Sequence, residues 1–178
     1  MFVATVLVGI DQLTKWLIVN NIQFGTSVPG IRFGDLKFVD ITHIHNTGAA
    51  FGIFKDRQFL LIAVTSIFLF GAIIVLFSGR IKMKMMFAAI TLIIAGAVGN
   101  LIDRATQGYV VDFIELKFIN FAIFNFADMC VVIGTFILFL SVVREEIRDY
   151  RAKRACEVED DDGEPNELLT VEETKADE

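Results

Sequence analysis

Proline and cysteine are scarce: two of each occur in the 178 residues. Two cysteines build no disulfide framework. Cys130 lies inside an apolar segment and Cys156 beyond the last one, so no pairing between them is expected. No Cys/His spacing resembles a zinc site, and no metal is expected. HExxH is absent, which excludes the zinc-helix peptidases. Ser27, Ser66, Ser78 and Ser141 stand in no GxSxG setting and near no histidine, which excludes an activated serine nucleophile. The start of the chain has neither a basic n-region nor a small-residue cleavage site, so its first apolar segment is read as a retained helix. No cofactor and no nucleic-acid partner are expected.

Apolar length is what the chain has in quantity: 54% of it is hydrophobic and the mean hydropathy is +0.60, too high for an ordinary soluble domain. Crossing a ~30 Å hydrocarbon core takes about 20 apolar residues in helix. Four segments qualify: Phe2–Val19, Phe59–Phe77, Met83–Ile102 and about Ile123–Val143. The net charge of -6 conceals an uneven distribution, because eleven of the 22 acidic residues and one of the 16 basic ones follow Ala155. What precedes is mildly basic. The expected organisation is a four-span membrane domain over 1–154 and an acidic, disordered cytoplasmic tail over 155–178. The fold class is an all-α membrane protein with a small extracytoplasmic sheet. No span carries GxxxG, and a monomer surrounded by membrane lipids is expected.

Basic residues near span ends favour the cytoplasm. Arg80, Lys82 and Lys84 follow the second span; Arg144, Arg148, Arg151, Lys153 and Arg154 follow the fourth. Both termini are therefore expected inside, with segments 20–58 and 103–122 outside. The alternating run Leu36–His45, after a Gly34-Asp35 turn, predicts a strand, as does Tyr109–Leu116. His43 and His45, two apart, would share a strand face, and a solvated face is favoured over a metal site that lacks a third ligand. Met83, Met85 and Met86 are read as apolar filler.

Asp112 and Asp128 lie where apolar segments meet short polar stretches, on the same outer side. A carboxylate at the bilayer centre costs about 3 kcal/mol on insertion scales. Two carboxylates within ~4 Å repel by about 4 kcal/mol at an effective dielectric near 20, which separates their proton affinities by about three units. One then holds a proton while the other stays ionised and can activate water. Asp112 and Asp128 are the candidate catalytic pair for peptide hydrolysis, against the plainer alternative that each caps a helix or pairs with Arg104. Asn125 shares a helix face with Asp128. Asn100 could support a catalytic hydrogen bond, and Asp103 with Arg104 could form a structural pair. Asp11 and Lys15, four apart, are expected to pair with each other. Gly48 allows a close backbone approach. A small proton-coupled transporter is the alternative function; it predicts carboxylates at the midplane and inverted repeats, and neither is evident.

Four blocks in order carry a resemblance: DQLTK at 11–15, HNTGAAFG at 45–52, GNLIDR and GYVVDFIEL within 99–116, and FNFAD at 124–128. Over roughly residues 1–145 the chain resembles the lipoprotein signal peptidase (type II signal peptidase) family. Gly52 stands where serine is common, and the acidic tail is an addition. The resemblance implies an aspartic endopeptidase of the bacterial cytoplasmic (inner) membrane with its active site near the extracytoplasmic face. Its substrate would be a diacylglyceryl-modified prolipoprotein, cut just before the lipid-bearing cysteine. It implies Asp112 and Asp128 as the catalytic dyad, with Asp11, Lys15, Asn46, Asn100, Arg104 and Asn125 supporting the site or substrate.

Overall fold

The computed structural model describes residues 2–48, 57–79, 81 and 83–161, with side chains to Arg154. Gly52, Arg80, Lys82 and the tail from residue 162 onward, all invoked above, lie outside the described residues. Two compact units follow one another along the chain, Met1–Ser141 and Val142–Glu178.

Among the described residues four helices are long and apolar enough to cross a membrane. They are α1 (Phe2–Asn21), α2 (Gln58–Phe77), α3 (Lys84–Gln107) and α4 (Phe126–Asp161). The helix of α4 continues past the expected boundary at 154. Between α1 and α2 lie β1 (Ser27–Pro29), β2 (Arg32–Phe33), β3 (Leu36–Lys37) and β4 (Val39–Asn46); β5 (Val110–Leu116) joins α3 to α4. The chain is thus a multi-pass membrane protein with a small sheet. In the second unit the described part is helical, and Arg148 pairs with Asp149 (3.4 Å) and Glu145 (3.8 Å).

Burial is inverted relative to a soluble protein. In α1 the buried residues are Ala4, Asp11 and Lys15, while Phe2, Leu13 and Trp16 are exposed. Side chains that lipid can solvate face outward, and polar ones turn inward toward one another. The central helix is α3, with Ala89, Ile90, Ile93, Ile94, Gly96, Gly99, Asn100 and Asp103 among its buried residues. Leu69 and Leu76 of α2 pack on Ile90 and Ile94. Small residues bring α3 close to α1 and α4. A Cβ on Gly99 would stand 2.5 Å from Asp11 Oδ2, and one on Gly134 2.8 Å from the Ala89 carbonyl. A Cβ on Gly96 would run into the Ala127 carbonyl and the Val131 side chain.

The three-stranded sheet has the order β1-β4-β5, with both pairings antiparallel. The long alternating run Leu36–His45 is divided between two sheets, a departure from the single strand expected. Leu36 and Lys37 fold back on Arg32 and Phe33 as their own hairpin, turned at Gly34, whose φ of +61° suits glycine. The run resumes as β4, and an irregularity between Ile41 and Ile44 changes the phase. That shift aligns Ile44 with Asp112 and Asn46 with Val110. Gly108 (φ +77°) ends α3 in a left-handed cap, its N–H donating to the Arg104 carbonyl at 3.1 Å. Strand β5, carrying Asp112, begins two residues later.

The close α3–α4 approach generates an expectation. Gly96→Ala should destabilise the protein by about 1–3 kcal/mol through overpacking. Gly71→Ala, where a Cβ meets nothing within 4 Å, should leave stability unchanged or raise it by up to about 1 kcal/mol. Thermal unfolding of the two variants in lipid distinguishes them.

Candidate active site

Asp112 and Asp128 arrive from different elements. Asp112 is on β5 and 1% exposed; Asp128 is in the first turn of α4 and half-buried. Asn125 joins them: its Nδ2 donates to Asp112 Oδ1 at 2.7 Å, and its backbone N–H donates to Asp128 Oδ2 at 3.1 Å. Asn125 Oδ1 in turn accepts from the Asp128 N–H at 3.0 Å. The exchange is a capping box at the start of α4, with Asn and Asp in the usual Ser/Thr and Glu/Gln roles. FNFAD therefore starts a helix and places a carboxylate in one stroke. Asp128 does cap a helix, as the plainer alternative held, and the same geometry brings it to Asp112.

Each remaining oxygen has a donor. Asp112 Oδ2 accepts from Asn46 Nδ2 at 2.9 Å, and Asp128 Oδ1 accepts from Asn100 Nδ2 at 2.8 Å. The orientation of the Asn100 amide follows from its neighbours. Its Oδ1 faces Lys15 Nζ at 2.9 Å and Asn125 Nδ2 at 3.1 Å, both donors, so the amide nitrogen must face Asp128.

Lys15 anchors the network from below. Its ammonium donates to Asp11 Oδ2, Asp103 Oδ2 and Asn100 Oδ1, each at 2.9 Å, so all three of its N–H groups are used. The Asp11–Lys15 pair is as expected. Asp103 corrects the expectation: its ion pair is with Lys15, not with Arg104. It also accepts from the Val111 N–H at 3.3 Å, beside Asp112. Asp11 accepts from the Ala127 N–H at 3.0 Å, beside Asp128. Gln12 ties the two acids together, donating to Asp11 Oδ2 at 3.2 Å and Asp103 Oδ1 at 3.0 Å.

Arg104 reaches the loop after β4 and donates to the Gly48 carbonyl at 3.2 Å. The Gly48 N–H donates to Asn46 Oδ1 at 2.9 Å. The close partners of Gly48 are therefore the Asn46 and Arg104 side chains. Among the described residues Arg104 forms no ion pair with either aspartate. The two histidines share a face, but it is not the solvated one expected. His43 is 4% exposed, its Nδ1 bonds the Ile22 carbonyl at 2.7 Å, and His45 stacks on Tyr109 at 3.7 Å. Phe24 packs edge-on against His43. Among the described residues no cluster of three His, Cys, Asp or Glu side chains could hold a metal.

Burial pushes the Asp112 carboxyl up to about 7, and the charge of Asp128 adds to the rise. The hydrogen bonds from Asn46 and Asn125 work the other way. Either Asp112 oxygen can carry the proton and still accept one hydrogen bond.

The sequence of a known group matches this arrangement. A profile described as Signal peptidase (SPase) II aligns with residues 3–144. The chain belongs to the signal peptidase II family. A protein named lipoprotein signal peptidase from Streptococcus pneumoniae is 43% identical over 145 residues, covering 82% of this chain and 92% of the relative. One of the same name from Brevibacillus brevis is 41% identical over 143 residues, 79% and 91% of the two chains. A solved bacterial membrane enzyme superimposes with a TM-score of 0.75 at 33% identity, covering 82% of this chain and 87% of that one. This signal peptidase II family member is thus a membrane peptidase, and the transporter alternative finds no support.

Removing the Lys15 charge strands two buried carboxylates. Lys15→Met is expected to cost about 3–5 kcal/mol of stability. Adding Asp103→Asn to Lys15→Met should recover part of that loss, as chemical denaturation in mixed micelles would register.

Proposed function

We propose that Asp112 and Asp128 are the catalytic dyad of an aspartic endopeptidase that removes the signal peptide from diacylglyceryl-modified prolipoproteins. The observation that carries the assignment is the sharing of Asn125 by a fully buried and a half-buried carboxylate. The names of the relatives support the substrate class. Cleavage falls just before the lipid-bearing cysteine. The protein lies in the bacterial cytoplasmic membrane with both termini inside, supported by Lys84 and the run Arg144, Arg148, Arg151, Lys153 and Arg154. The dyad then faces the extracytoplasmic side.

The two environments divide the labour. Asp112, the more buried group, holds the proton. Asp128 stands in the first turn of α4, where the partial positive charge of a helix N-terminus favours an anion. A water between them loses a proton to Asp128 as its oxygen bonds to the scissile carbonyl carbon. The Asp112 O–H donates to the carbonyl oxygen, giving a neutral tetrahedral diol. Asp128 then passes its proton to the leaving nitrogen while Asp112 recovers one from a diol hydroxyl. The C–N bond breaks, and the dyad returns to its starting protonation. Asn100 and Asn125 hold both carboxylates in place through the cycle. Lys15, Asp11 and Arg104 support the frame from behind.

Asp112→Asn and Asp128→Asn should each lower turnover at least about a thousandfold while leaving the protein inserted and folded; cleavage of a diacylglyceryl peptide by the purified variants decides the matter. A retained rate in either variant ends the assignment.

A pH dependence follows from the buried acid. Asp112 keeps its proton below about 7 and loses it above, so kcat/KM should fall as pH rises through that value. Because this carboxyl sits above its ordinary 3.8, its contribution to stability is full below about pH 4 and is lost as pH climbs through about 7. Asp128→Asn removes the neighbouring charge, and the Asp112 carboxyl should then titrate below about 7, read from the 13C shift of labelled aspartate.

A further inference from the structure

Thr47 and Gly48, just after β4, are held from three sides. Asn46 Oδ1 accepts the Gly48 N–H, and the Gly48 carbonyl accepts Arg104 Nη2. The third hold is on the Thr47 carbonyl, which accepts Gln58 Nε2 from eleven residues further along the chain. Gln58 opens α2, a helix whose other residues are apolar or small apart from Thr65 and Ser66. Arg57 before it provides no side-chain cap. The first side chain of α2 thus reaches across to a peptide group that adjoins the site. Its own Oε1 is buried and has no hydrogen-bond partner among the described residues.

We infer that Gln58 is a positioning residue for the peptidase reaction, fixing the Thr47 peptide so that Asn46 presents its amide to Asp112. It rests on the dyad proposed above and acts without touching either aspartate. Asn46 has one amide, and both ends are committed: Oδ1 to the Gly48 N–H and Nδ2 to Asp112 Oδ2. If the Thr47–Gly48 peptides drift, the Oδ1 anchor moves and Nδ2 swings away from the carboxyl. Among the described residues Arg104 holds the carbonyl on the Gly48 side of this turn and Gln58 the carbonyl on the Thr47 side.

The test uses the full chain in lipid nanodiscs. Gln58→Met keeps length and removes the donor. Its kcat should fall about tenfold, since small displacements of a reacting group are costly, while KM changes little. The decisive readout is the titration of Asp112, followed by the 13C shift of labelled aspartate, which needs no turnover. The Asn46 hydrogen bond draws the Asp112 pKa down, so loosening Asn46 should move the titration upward. Among the described residues the charged groups around Asp112 include Asp128, Lys15, Arg104 and Asp103, which holds the neighbouring Val111 N–H, and the substitution alters none of them. In an Asn46→Ala background Gln58→Met should add no further shift, the signature of one shared path. An Asp112 titration unmoved by Gln58→Met overturns the inference whether or not the rate falls, as does a shift that persists in the Asn46→Ala background. Should Gln58→Met fail to fold, Gln58→Asn, one methylene too short to reach Thr47, is read in the same way. Failure here leaves Asp112→Asn and Asp128→Asn inactive, whereas failure of the dyad itself would leave them active.

Discussion

One ammonium group organises the interior. Lys15 donates its three protons to Asp11, Asp103 and Asn100, and each acceptor has a second attachment at or beside the Asp112 or Asp128 carboxyl. Asp103 grips the backbone beside Asp112, Asp11 grips the backbone beside Asp128, and Asn100 grips Asp128 itself. A charge of this kind inside a membrane domain is tolerable only when fully paired. The same pairing that makes insertion possible therefore sets the distance between a strand and a helix. Gly99 belongs to this constraint, since any side chain there would strike the Asp11 carboxylate.

The second economy is at the start of α4. An apolar helix entering the membrane domain must satisfy its first N–H groups, and FNFAD does so with Asn125 and Asp128. Asp11 supplies the Ala127 N–H from another helix. The groups that end the helix cleanly are the groups that build the site, so local structure and chemistry cannot be separated there. The left-handed turn at Gly108 plays the matching part for Asp112, bringing the chain back from α3 directly into β5.

Much of this was legible in the residues. Run length gives the four spans, because the bilayer thickness fixes how many apolar residues a helix needs. The helical spacing of Asn100 and Arg104, and of Asn125 and Asp128, places them on common faces. What spacing cannot supply is the partner on another helix. Asp103 and Arg104 are neighbours in sequence, yet Asp103 turns to Lys15 because α1 packs against α3 on that side. Period-two alternation suggests one strand over Leu36–His45, but the hairpin at Gly34 claims its first two residues. The burial of His43 depends on Phe24 and the end of α1, which no local pattern announces. Gln58 carries no charge and matches no motif, and Gln12, although inside the DQLTK block, has no spacing that announces a partner, so only their reach across the fold gives them away.

The groups that hold the proposed dyad share a chemical property with a consequence for its reaction. Asp112 and Asp128 are gripped by the side-chain amides of Asn46, Asn100 and Asn125 and by one peptide N–H. Amides neither gain nor lose protons between about pH 3 and 10. A scaffold of histidines or further acids would rearrange its contacts each time a proton moved, whereas this one keeps its form while the pair beside it changes charge. In the proposed reaction hydrogen ions would shuttle between the two carboxyls, out to a substrate and back again, with no amide having to reset between turnovers.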